Sequence, residues 1–62
     1  MNLTERQIEL ILSLLFTYSY VARVSNVIDF KKIHFYGRTY KILVEDYDKV
    51  CEIIDCIKGV NK

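Results

Sequence analysis

Proline is absent from this chain of 62 residues, glycine and cysteine occur twice each, and histidine occurs once. Each scarcity closes off a chemistry. Without proline, and with 52% of residues hydrophobic, a disordered chain is not expected. Two glycines leave no glycine-rich loop to cradle a phosphate. Cys51 and Cys56 are too few for a secreted disulfide scaffold. Their spacing sets them ~140° apart around a helix, so they do not bond to each other. It is not a zinc spacing either, and His34 alone leaves a Cys–Cys–His site one ligand short. Both thiols are therefore expected to pack as small hydrophobes.

Long uncharged runs are also missing. The longest, Leu10 to Ala22, would span ~20 Å as a helix against a hydrocarbon core of ~30 Å. It carries Ser13, Thr17 and Ser19. No membrane segment is expected. Glu5 and Glu9 stand where the basic region of a leader would be, so the expected location is cytoplasmic. A net charge of +1 creates no global field to draw in nucleic acid. Alanine is scarce beside isoleucine, lysine and tyrosine, a bias seen in AT-rich bacterial and bacteriophage coding sequences.

What is present is periodicity. Thr4 and Gln7 fit a capping box, and Glu5 follows in the first turn. The spacing predicts a helix from about Thr4 to Val24. Ile8, Ile11, Leu12, Leu15, Ser19 and Ala22 form one face. Leu10, Leu14, Tyr18 and Val21 form a second apolar face beside it. Arg6, Glu9, Ser13, Thr17 and Tyr20 make a narrow polar stripe. A helix apolar over two faces is a buried helix. A chain this short hides only ~60% of its unfolded surface. The second face therefore calls for a partner, either a second copy in a homodimer or a larger protein.

Lys31 to Tyr36 and Arg38 to Val44 alternate in polarity around Gly37, which predicts a β-hairpin. A turn with Gly37 first and Arg38 second would pair residues whose numbers sum to 75. Phe35 would then face Tyr40, and Ile33 would face Ile42, with Val44 on the same side. Val27, Ile28 and Phe30 would lead the chain across the core. A second helix is expected from about Asp46 to Lys58, with Glu45, Asp46 and Asp48 at its start and Gly59 as its stop. Tyr47, Val50, Cys51, Ile54 and Ile57 share its inner face, extended sideways by Ile53, Cys56 and Val60. The fold class expected is α+β: one small domain, ordered helix–hairpin–helix, with both helices on one face of the ribbon.

No catalytic constellation emerges. His34 is expected on the polar side of the hairpin and Cys51 on the core side of the second helix, so they form no nucleophile pair. The acidic cluster at Glu45 lacks the glycine and distal glutamate of a calcium loop. No enzyme activity, cofactor, metal or small-molecule substrate is expected. The hairpin is the basic part of the chain: residues 27–44 hold four lysines and arginines against one acid, Asp29. Lys31, Lys32, His34, Arg38 and Lys41 are interleaved there with Phe35, Tyr36 and Tyr40. Lysines on edge strands discourage aggregation, and that plain role comes first. The ribbon also suits a protein partner, or phosphates contacted by Lys32, Arg38 and Lys41.

The expected function is a non-enzymatic protein–protein interaction module that regulates or inhibits a larger cytosolic protein. Leu10, Leu14, Tyr18 and Val21 on the helix, with Tyr36, Arg38 and Lys41 on the ribbon, would form its interface. The alternative is a small dimeric nucleic-acid-binding protein that uses the basic hairpin.

Overall fold

The computed structural model describes residues 3–26 and 29–59. It contains α1 (Glu5–Val24), β1 (Phe30–Phe35), β2 (Arg38–Leu43) and α2 (Val44–Gly59). The α+β class and the helix–hairpin–helix order are as the sequence predicts. Val27, Ile28 and Val60, expected to lead into the hairpin and to extend the inner face of the second helix, lie outside the described residues.

α1 starts where its cap dictates. The Gln7 N–H donates to Thr4 Oγ1 at 3.2 Å, and the Thr4 N–H donates to Gln7 Oε1 at 2.8 Å. Gln7 does more than close the box. It is buried, and its Nε2 donates to the carbonyl of Ile57 at 3.0 Å, in the last turn of α2. One side chain thus joins the start of the first helix to the end of the second.

β1 and β2 are antiparallel, but in a different register from the one the glycine position suggests. Ile33 pairs with Tyr40, Lys31 with Ile42 and Phe35 with Arg38, so paired numbers sum to 73. The turn is Tyr36–Gly37. Both residues have positive φ, 52° and 80°, as a type I′ turn requires. Glycine therefore occupies the second turn position, not the first. The slip is two residues, so every side chain keeps its face. Phe35 does not face Tyr40, and Ile33 does not face Ile42, yet all four stay on the covered side.

Tyr36 is the cost of this register. A tyrosine at φ 52° is uncommon, and asparagine tolerates that region far better. Tyr36 is 69% exposed, and its ring meets that of Phe35 at 6.2 Å between centroids. Tyr36→Asn is expected to stabilise the fold by about 0.5–1 kcal/mol. A urea titration reads this directly, and a lowered midpoint would reject the turn geometry.

The ribbon runs into α2 without a loop. The Val44 N–H donates to the Asp29 carbonyl at 3.4 Å, which continues the ladder one pair beyond Phe30 and Leu43. Val44 is thus the first residue of α2 and is exposed, not a core position of the strand. Helix α2 begins two residues earlier than its acidic cluster suggests.

One core unites the layers. Ile11 and Leu15 from α1, Tyr40 and Ile42 from β2, and Val50 and Ile54 from α2 form a single buried cluster. Leu3, Leu12, Leu14, Tyr18, Ile33, Phe35 and Ile57 pack around it, partly buried. Both helices therefore cover the same face of the ribbon. Leu43, expected on the polar side, is buried at the point where the strand becomes helix.

Candidate functional site

Two surfaces carry the residues singled out by the sequence, and a third emerges only from the fold. The first is the outer stripe of α1. Leu10 and Val21 are exposed there, at 47% and 39%, and Val24 joins them at 62%. Leu14 and Tyr18, expected on the same free face, are instead partly buried against the core. Helix α2 and the ribbon thus cover part of the second apolar face of α1 as well as the first. What remains open is a narrower stripe of Leu10, Thr17, Val21 and Val24 around half-buried Leu14, the five at alternating spacings of four and three. This is the spacing at which one helix presents a seam to another. Thr17 interrupts it mildly, because its hydroxyl is spent on the Ser13 carbonyl, to which it donates at 2.9 Å.

The second surface is the uncovered face of the ribbon. The observed pairing sets Lys32 directly opposite Lys41 and His34 opposite Thr39. His34 Nδ1 lies 3.0 Å from Thr39 Oγ1. Two lysines facing each other repel, and that repulsion lowers the stability of the strand pair. The basic set is split, however. Lys31 and Arg38 pair with Ile42 and Phe35 and so stand on the other face. Lys31 lies over the Tyr47 ring, 4.8 Å from its centroid. Lys32 and Lys41 are brought together, and Arg38 is not with them.

The third surface was not visible as a set in the sequence. Phe16, Ser19 and Arg23 of α1 meet Arg38, Thr39 and Tyr40 of β2 around a cleft of ≈ 250 Å³. Phe16 and Tyr40 meet edge to face, 5.7 Å apart at 86°. The buried tyrosine was the available signal, since a phenol on an apolar face needs a partner for its hydroxyl.

The reactive side chains do not assemble. Cys51 is half-buried as a free thiol, and Cys56 is free and exposed on α2, against the expectation that it packs. The Tyr47 phenol is held above its ordinary range. Its hydrogen bond to Cys51 is the largest cause, followed by the charge on Cys51, burial and Asp48. Among the described residues, no cluster of three His, Cys, Asp or Glu is placed to hold a metal. No helix among them is long and apolar enough to cross a membrane.

No family model, curated protein or solved structure matches this chain.

Proposed function

We propose that this protein is a non-enzymatic interaction module that regulates or inhibits a larger cytosolic protein through the outer stripe of α1. The observation that carries the reading is the run of exposed Leu10, Val21 and Val24 in one seam flanking half-buried Leu14. Full burial of a leucine or valine is worth roughly 1.5–3 kcal/mol, so a few such side chains drive association. Tyr18 supports the stripe from beneath, packed partly on the core. A seam at this spacing suits a helix of the target or the same stripe on a second copy.

The test is affinity capture of the tagged full chain from its host, with light scattering on the purified protein. A stoichiometric protein partner is expected, and Val21→Asp should weaken its capture at least tenfold while leaving the circular dichroism unchanged. A dimer lost with the same substitution would make the second copy the occupant. A soluble monomer that captures no protein would end the reading.

One observation favours a second reading, a dimeric nucleic-acid-binding protein. Lys32 and Lys41 face each other on the open side of the ribbon, and a phosphate backbone would relieve their repulsion. Tyr36 stands exposed at the ribbon's tip, where it can stack on a base. Recovery of nucleic acid in place of protein, lost on Lys41→Glu, would transfer the case to it.

A further inference from the structure

We infer that the cleft between the C-terminal half of α1 and the turn end of β2 binds the dianionic phosphate of a small phosphate monoester. Arg23 and Arg38 both line it, and no aspartate or glutamate does. The two arginines reach it from elements that meet only through the fold. The two acids of α1, Glu5 and Glu9, lie fourteen or more residues before Arg23, roughly 20 Å along the helix. Arg23 has an aromatic neighbour, its guanidinium lying 5.7 Å from the centre of the Tyr20 ring. Two positive charges thus share one concave site that supplies no negative charge of its own.

A second, independent observation points to a ligand. Tyr40 is 5% exposed, and its hydroxyl is the buried side-chain polar atom left without a hydrogen-bond partner among the described residues. Buried hydroxyls are normally paired, because an unpaired one forfeits its bond to water. The same tyrosine lines the cleft, its ring held by the edge contact with Phe16. In the unliganded protein this hydroxyl is closed to solvent, so an acceptor in the cleft satisfies it only by parting the side chains that cover it.

The donors match phosphate better than other anions. Each guanidinium can grip two oxygens at once. Ser19 and Tyr40 add hydroxyls. In a two-residue hairpin the flanking pair, Phe35 and Arg38, exchanges backbone hydrogen bonds. The next pair does not, so the Thr39 N–H points to the free edge of β2. A carboxylate has one charge and two oxygens for this set. A monoester phosphate has close to two charges and three oxygens. The volume, below the range of drug-sized pockets, fits the phosphate with the first atoms of its carrier.

The cleft is separate from the interaction stripe. Phe16 and Val21 are five residues apart, so they lie ~140° apart around α1. The two readings can therefore fail independently.

The experiment is an NMR titration of the ¹⁵N-labelled full chain with inorganic phosphate and with phenyl phosphate, against sodium chloride at equal ionic strength. Saturable shifts are expected at the amides of Ser19, Arg23, Thr39 and Tyr40. Saturation by both probes would identify the phosphate group itself as the ligand. Saturation by phenyl phosphate alone would show that the carrier is recognised too. Arg23→Gln and Arg38→Gln should each weaken binding about tenfold. Tyr40→Phe should weaken it about threefold to tenfold while raising the melting temperature of the unliganded protein. That opposite pair of signs separates a ligand-facing hydroxyl from a purely structural one. Shifts that match chloride, or affinity retained in both arginine variants, would overturn the proposal.

Discussion

Leu15→Ala is expected to leave most of the chain unfolded at 25 °C. Leu15 is fully buried, and its neighbours in the cluster come from both helices and β2. Truncating such a leucine costs about 2–5 kcal/mol, through lost burial and the cavity left behind. A single core in a domain this size rarely supplies more than about 3–5 kcal/mol in all. The substitution therefore removes most or all of the margin. Leu10→Ala provides the contrast, because Leu10 lies on the open stripe and should change stability by less than about 0.5 kcal/mol. Circular dichroism during a thermal scan reads both. In a domain of this length each 1 kcal/mol moves the midpoint by about 4–8 °C. A Leu15→Ala protein that melts cooperatively within 5 °C of the parent would show that the core is elsewhere.

The helical part of that core is legible in the sequence because two independent signals agree. The Thr4–Gln7 box fixes where α1 begins, and the 3.6-residue period fixes which side is buried. Ile11, Leu15 and Ala22 are all buried as that period requires. The hairpin's faces are legible for a similar reason, but its register is not. A period of two cannot distinguish two registers that differ by two residues. The remaining cue, one glycine, suits either turn position. Putting glycine first spares the chain a left-handed tyrosine. The observed register accepts one, and places Ile33 opposite Tyr40 within the core. Tertiary packing overrides the local preference there.

The start of α2 is misread for a different reason. Val44 continues the alternation of β2, so it looks like a strand residue until the ladder itself shows the chain turning helical. The open stripe of α1 was legible only in part. Leu10 and Val21 are exposed as expected, but the depth to which Leu14 and Tyr18 sink depends on how closely the ribbon approaches. The cleft is the least legible feature. Arg23 and Arg38 are fifteen residues apart, on different elements, and neither belongs to a motif. Only the fold brings them to one cleft with Tyr40.

Gln7→Met is expected to cost about 2–3 kcal/mol although it keeps the volume of the side chain nearly constant. The first four N–H groups of a helix and its last four C=O groups have no partner within the helix. Gln7 serves both kinds of end. Its Oε1 accepts from the Thr4 N–H at the start of α1, and its Nε2 donates to the Ile57 carbonyl near the end of α2. Methionine fills the space but can do neither. The loss comprises half of a capping box, one long-range hydrogen bond and a part-buried carbonyl left unsatisfied. Thr4→Ala removes only the cap and should cost about 1 kcal/mol. Because the two residues share one box, the double variant should be less unstable than the sum of the single effects. The cycle is measured by urea denaturation. Full additivity would show that the box is not formed in solution. A Gln7→Met cost below about 0.5 kcal/mol would show that the tie between the two helix ends contributes nothing to the fold.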